Sequence, residues 1–365
     1  MTIAPSRITL ARLRAGVSKT QAAERLGATP RTIRNYETDG APDHAATALA
    51  RALGCRAEYF SRPEAGPLEE DRVFFRARRR TSAAQKHQAT AAGRTGVELY
   101  AVITDYFGLP GVDVPELAHL DPVAAAQLIR TEWGLGVDPL PNSIQLAESK
   151  GIRVLSLPGA TADVDAFSHW EDGRPYIFLS TAKSAERSRF DLAHELGHLV
   201  LHTGLMPSDE GERNAEREAD QFASELLVPM IWLRSTVHRE PTVDEILKLK
   251  THCGVSAMAL TYALHKAGIL TDWNYRQACI NLGKRGYKTG EPSGMARETS
   301  RVFSSVLPSL KRNHGIGTEE LARSLGVHPP EIHGLTFGQA LAGIPRTERG
   351  DGRTPGERPK LRVVH

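Results

Sequence analysis

Arg189-Phe-Asp-Leu-Ala-His-Glu-Leu-Gly-His-Leu-Val-Leu-His202 is the stretch from which the rest of the chain can be read. Its centre, His194-Glu195-Leu196-Gly197-His198, is an HExxH motif. A spacing of four is about one helical turn, so the two imidazoles share a face and can reach a single ion, with Glu195 beside them. Neutral imidazole is a good zinc ligand, and a carboxylate next to the ion can take a proton from activated water. From Phe190 to Leu201 the residues are mostly apolar apart from Asp191, His194, Glu195 and His198, as expected of a buried helix that is polar only at a site. Gly197 costs about 1 kcal/mol against alanine in a helix interior, which suggests that another segment passes too close for a side chain. The competing structural reading, two satisfied core histidines and a solvated glutamate, leaves three neighbouring polar groups without a role.

A catalytic zinc needs a third protein ligand and a position left open for water. Downstream, Ala215, Ala219, Phe222, Ala223, Leu226 and Leu227 recur at helical spacing, and Pro229 marks the end of that helix. Glu216 and Asp220 lie four apart on it. Glu216 is the expected third ligand, and Asp220 the acceptor that orients one of the histidines. Glu212, near the helix start, and Glu218, on another face, are weaker candidates and read as surface or helix-start charges. His202, one further turn beyond His198, reads as a capping or supporting residue.

These two stretches, Arg189–His202 and Glu216–Pro229, resemble the ImmA/IrrE family of zinc-dependent metallopeptidases. The similarity extends to Asp165-Ala-Phe-Ser-His-Trp and Arg174-Pro-Tyr-Ile-Phe-Leu ahead of the motif, and to Gly254-Val-Ser after it. The resemblance implies a zincin-like, gluzincin-type domain. It also implies an enzyme that cleaves a partner repressor, releasing stress-response or mobile-element genes.

At 365 residues the chain can hold two or three domains, and its 40% hydrophobic and 24% charged content is that of an ordinary globular protein. Cys55, Cys253 and Cys279 have no CxxC spacing, so neither a disulfide framework nor a cysteine zinc site is supported. No run of 18 apolar residues and no hydrophobic leader is found, so a cytoplasmic protein without a membrane partner is expected.

The first unit is a helical bundle. Ser18 can cap a helix from Lys19 to Leu26, Gly27 stops it, and Thr29-Pro30 opens a short helix through Ile33 to Glu37. A helix, a tight turn and a second polar helix are what a helix-turn-helix needs. Nine basic residues, Arg7, Arg12, Arg14, Lys19, Arg25, Arg31, Arg34, Arg51 and Arg56, face five acidic ones, a surplus that favours double-stranded DNA. Val17 to Glu37 resembles the Xre-type repressor DNA-binding domain. By that match Thr29, Arg31, Thr32 and Arg34 face the major groove, with Lys19 and Asn35 near phosphates or base edges. Pro30 departs from the pattern, where a groove-reading glutamine is frequent, and leaves the operator unspecified. Such units bind half-sites in pairs, which is compatible with a homodimer that no residue proves.

Between these units, Ser61 to Asp71 reads as a linker, and Phe74-Phe-Arg-Ala-Arg-Arg-Arg80 as a solvated basic run. Ala83 to Phe107 is helical, serving as spacer, dimerisation helix or outer layer of the next domain. Ile152–Leu157, Asp165–Trp170 and Tyr176–Leu179 read as three strands, the last two joined by a DG turn. Phe167–Trp170 or Tyr176–Leu179 could form an edge that pairs with substrate, and His169 and Tyr176 are candidate oxyanion donors beside the bland reading of ordinary strand residues. Beyond Pro229 the chain is helical, and Thr318 to His333 echoes the first helix-turn-helix but lacks basic residues on its second helix, having Glu331 and His333 there, and so reads as a small structural bundle.

The expected fold is therefore mainly α with a small β-sheet (α+β). A five-helix Xre-type bundle at 1–62 is followed by a linker and helical spacer at 63–120. A zincin-like metallopeptidase domain at 121–290 precedes a small helical domain at 291–345 and a disordered tail at 346–365. The leading functional reading is a DNA-binding zinc endopeptidase in which His194, His198 and Glu216 hold Zn2+ and Glu195 is the catalytic base. Its substrate is a repressor encoded nearby. The alternative is an Xre-type repressor or antitoxin whose metal domain senses a signal or binds a partner without turnover.

Overall fold

In the computed structural model, which describes residues 2–68, 73–77, 82–157, 161, 164–203 and 209–340, caps written into the sequence start the first helices. Two-residue strand β1 (Thr2–Ile3) precedes α1 (Pro5–Arg14), which carries proline in its first turn. A Ser18–Gln21 capping box opens α2 (Lys19–Leu26), and Thr29 opens α3 (Pro30–Asp39) by accepting from the Thr32 amide. Strand β2 (Ala41–Pro42) pairs antiparallel with β1, and α4 (Ala46–Leu53) with a 3-10 turn at Ala57–Ser61 completes the bundle. The helix-turn-helix expected from Ser18, Gly27 and Thr29 is thus formed.

A four-stranded sheet divides the rest of the chain into two cores. Its strands are β3 (Val73–Ala77), β4 (Arg153–Leu157), β5 (Val164–Glu171) and β6 (Arg174–Ser180), in the order β3-β5-β6-β4. Only the β4–β6 pair is parallel. The β5–β6 hairpin turns on Asp172 and Gly173, at φ 49° and 70°, the backbone that a two-residue DG turn requires. Side chains alternate across the strands. Leu155, Phe167, Tyr176 and Phe178 join one core, while Val154, Ala166, Ile177 and Leu179 join the other.

The first core contains α5 (Ala83–Tyr106), which fills the space between sheet and bundle. A Cβ on Gly96 would stand 3.0 Å from carbons of Leu155 and Phe178, so its absence lets α5 lie close on the sheet. Glu98 on the same helix pairs with Arg7 of α1 at 2.6 Å. The helix expected from Ala83 to Phe107 is thus formed and packs between sheet and bundle.

The second core is built by α6 (Pro122–Glu132), α7 (Ser143–Ser149), α8 (Ala185–Leu201) and α9 (Asp209–Leu227), backed by α10 (Met230–Thr236), α11 (Val243–Cys253), α12 (Ala257–Lys266) and α13 (Asp272–Lys284). Three final helices, α14 (Arg301–His314), α15 (Thr318–Leu325) and α16 (Pro329–Leu335), fold back onto the first unit. There Arg14 pairs with Glu331, and the Arg56 amide donates to the Gly326 carbonyl at 2.9 Å.

Two expectations are corrected. The segment read as a solvated basic run supplies β3, a fourth strand, through its backbone hydrogen bonds to β5, which composition does not reveal. Neither Phe167–Trp170 nor Tyr176–Leu179 is an edge: β5 lies between β3 and β6, and β6 between β5 and β4. The tail expected at 346–365 falls outside the described residues. Among the described residues no helix is long and apolar enough to cross a membrane.

Candidate metal centre

Ser184 starts α8 by accepting from the Arg187 amide, and the helix then runs unbroken through the HExxH motif to its C-cap at His202. A Cβ on Gly197 would lie 3.1 Å from Phe222 Cδ1 and 3.2 Å from Ala219 Cα. The glycine therefore lets α9 press against α8 at the level of the motif. Its cost in helix propensity has a packing reason.

This contact brings three side chains together. The Nε2 atoms of His194 and His198 are 3.0 Å apart, and the Glu216 carboxylate lies 3.5 Å from the first and 3.2 Å from the second. Among the described residues these three form a cluster whose ligand atoms all lie within 4.8 Å of one another. Both imidazoles are buried, whereas the Glu216 side chain is 38% exposed.

Each imidazole is held from behind. His194 Nδ1 is 2.9 Å from Asp220 Oδ1, so Asp220 lies where an orienting acceptor is needed. His198 Nδ1 is 3.0 Å from His202 Nδ1, and His202 Nε2 is 3.0 Å from Glu218 Oε2. Glu218, read from sequence as a surface charge, thus ends a relay through His202. Spacing did not reveal it because Glu218 lies two residues from Glu216, off the face that the ligand spacing marks, and only the packing of α9 on α8 brings it to His202.

The electrostatics suit a cation. Burial pushes His198 down to about 3, so it is neutral at pH 7, the form in which an imidazole ligates a cation. Burial also lowers His202. Burial alone would raise Glu216, but the hydrogen bonds from His194 and His198 outweigh it and hold the carboxyl well below its usual range. Two buried imidazoles and one carboxylate, each imidazole with its rear nitrogen engaged, are a donor set that fits Zn2+.

Glu195, fully buried beside the cluster, accepts a 2.7 Å hydrogen bond from Ser168 Oγ on β5. Sequence reasoning missed Ser168, because its face of β5 is set by strand pairing. That same alternation overturns two oxyanion candidates. His169 bonds Glu171 Oε2 at 2.8 Å, and Glu171 pairs with Arg94 of α5. Tyr176, opposite His169 in register, packs edge-on against Tyr100 of α5. Both face α5, across the sheet from Glu195.

In the helix-turn-helix, Arg31, Arg34 and Asn35 are exposed on α3, Thr32 is half-buried, and Thr29 is its exposed cap. Lys19 pairs with Glu37 at 2.9 Å, and Glu37 also holds Arg12. With Arg7, Arg14 and Arg56 also paired to carboxylates, the basic surplus counted from sequence overstates the charge offered to phosphate.

Comparison with known proteins matches residues 147–265 to a peptidase M78 family model, the IrrE N-terminal-like domain, and residues 8–60 to a helix-turn-helix family model. No curated protein matches the chain.

Proposed function

We propose that this chain, whose residues 147–265 match the IrrE N-terminal-like peptidase family and residues 8–60 a helix-turn-helix family, is a DNA-binding, zinc-dependent endopeptidase of the cytoplasm. It regulates transcription by cleaving a partner repressor encoded nearby. What carries this reading is the convergence of His194, His198 and Glu216, ligand atoms within 4.8 Å, beside the buried carboxylate of Glu195.

His194 and His198 would hold the ion from α8 and Glu216 from α9, while Asp220 would orient His194. A bound Zn2+ supplies Lewis acidity, polarising the scissile carbonyl and easing deprotonation of water. Glu195 takes the proton of the attacking water and passes it to the departing amine. Thr29, Arg31, Thr32, Arg34 and Asn35 read the duplex, and Lys19 meets phosphate, in a chain that binds its half-sites as a homodimer.

The test is Glu195→Gln, incubated with the purified repressor of the adjacent reading frame. The variant should keep its zinc and lose cleavage; cleavage at the wild-type rate refutes the assignment. One observation favours a second reading. Strand β3 takes the outer edge of β5, with Phe74 opposite Ser168, so an extended peptide would meet β3 or β4 and not the strand that carries Ser168. That suits a repressor or antitoxin whose metal domain senses or binds without turnover. Promoter binding by the zinc-loaded chain, with no proteolysis of the repressor, would favour it.

A further inference from the structure

The geometry around Glu195 contains a second polar side chain that touches none of the metal-binding candidates. Ser168 Oγ donates to Glu195 Oε2 at 2.7 Å, with Ser168 2% exposed and Glu195 fully enclosed. A glutamate has three rotatable side-chain bonds, and a buried carboxylate without an anchor can swing between rotamers. The anchor here is unusually rigid. Ser168 lies in the middle of β5, with Phe74 of β3 as its Cα partner on one side and Ile177 of β6 on the other. A strand paired on both edges cannot slide, and a one-residue slip would replace Ser168 on this face by Phe167 or His169.

We propose that Ser168 is the positioning residue of the hydrolytic site. Its hydroxyl fixes Oε2 of Glu195, so that proton transfer falls to Oε1. In that transfer an O–H bond of the attacking water breaks as the Oε1–H bond forms, and the proton then moves to the nitrogen of the departing amine. Ser168 touches neither ion nor substrate and acts only through Glu195. The inference rests on the peptidase reading for its catalytic consequence, while the geometric part, that Ser168 sets where Glu195 points, stands on the hydrogen bond.

The test uses the full-length, zinc-loaded chain as wild type, Ser168→Ala and Ser168→Thr. In crystals of Ser168→Ala the Glu195 carboxylate should move by more than about 0.5 Å, the tolerance within which a catalytic group must be held. On a quenched fluorescent random-peptide library, kcat for the best-cleaved member should fall about 10–100-fold, as when the partner of a metal-site group is removed, with KM and zinc affinity unchanged. Ser168→Thr, which keeps the hydroxyl, should restore both the position and kcat. A Glu195 that stays in place in Ser168→Ala, an unchanged kcat, or a loss of zinc affinity alongside activity overturns the proposal. If Ser168→Ala does not fold, Ser168→Thr with Glu195 displaced overturns it, and with Glu195 in place supports it. If the wild-type chain cleaves neither the library nor the repressor of the adjacent reading frame, the peptidase reading fails by itself, and the crystallographic position of Glu195 still decides for or against Ser168.

Discussion

His202 stands directly behind His198, their Nδ1 atoms 3.0 Å apart, although His202 is the residue at which α8 ends. If His198 presents Nε2 to the ion, its Nδ1–H donates to His202, and His202 Nε2–H in turn donates to Glu218. Every proton in the chain then has one place. His202→Ala should weaken zinc binding by about 10–100-fold, the usual cost of removing such a support. Competition with a chromophoric chelator measures it, and an affinity equal to wild type would show that the relay does not tune the site.

Gly197→Ala sets two effects against each other. Alanine gains about 1 kcal/mol of helix propensity. The new Cβ, however, meets Ala219 Cα at 3.2 Å, a backbone contact that yields only if α9 moves. Because Glu216 and Asp220 ride on α9, the expected signature is a split: stability within about 1 kcal/mol of wild type, but reduced zinc affinity. Thermal melts of the metal-free chain and chelator competition separate the two; unchanged affinity removes the argument for close helix contact.

The contrast with His169 explains what was legible in the sequence. His194, His198, Glu216 and Asp220 are readable because a helix repeats its face every few residues, so local spacing fixes which side chains converge. Ser168 and His169 differ by one position and point to opposite sides of β5, and nothing local says which side holds α8. The packing of distant segments decides it, with α5 residues in the core on one face of the sheet and α8 residues in the core on the other. Charge was misread for a similar reason. Arg14 looks available to DNA until Glu331, at the other end of the chain, is folded against it. Caps and turns, by contrast, are local: Ser18, Thr29 and the Asp172-Gly173 turn each lie where the sequence indicates.

Gly326 couples the last helices to the first unit. Its φ of +67° already disfavours a side chain, and a Cβ would fall 2.3 Å from both the amide nitrogen and Cα of Tyr59. Backbone cannot step aside as a side chain can. Gly326→Ala should cost about 1–3 kcal/mol in overpacking beyond the strain of the left-handed conformation. Gly134→Ala is the control, since Gly134 has φ +66° and nothing within 4 Å of its Cβ position. Equal losses in urea unfolding for both variants would mean that the contact with Tyr59 adds nothing.

Arg31 and Arg34 are exposed on α3, whereas Arg7 is sealed against Glu98. Replacing either exposed arginine with alanine should weaken operator binding by about 1–3 kcal/mol if it reads a base, and flatten the salt dependence if it meets phosphate. Arg7→Ala should instead lower thermal stability and leave the salt slope alone. Titration of the operator duplex at several salt concentrations distinguishes these outcomes, and a salt slope that changes only in Arg7→Ala would reverse the assignment.

Glu148 of α7 caps α14, accepting from the Ser300 hydroxyl and from the Arg301 and Val302 amides, the latter two at 2.8 and 3.1 Å. Burial nevertheless dominates these hydrogen bonds and pushes its carboxyl up to about 7, above the ordinary 4.5. The folded chain therefore holds this proton more tightly than the unfolded one. Its contribution to stability is complete below about pH 4.5 and is lost as pH rises through about 7. At about 1.4 kcal/mol per pH unit the swing is of order 3 kcal/mol. Glu148→Gln cannot ionise, so its stability should gain on wild type between pH 5 and pH 8, which urea unfolding of the metal-free chain at the two pH values measures. A wild-type-to-variant difference that is the same at both would mean that Glu148 is already ionised at pH 5, with the amides at the start of α14 outweighing its burial.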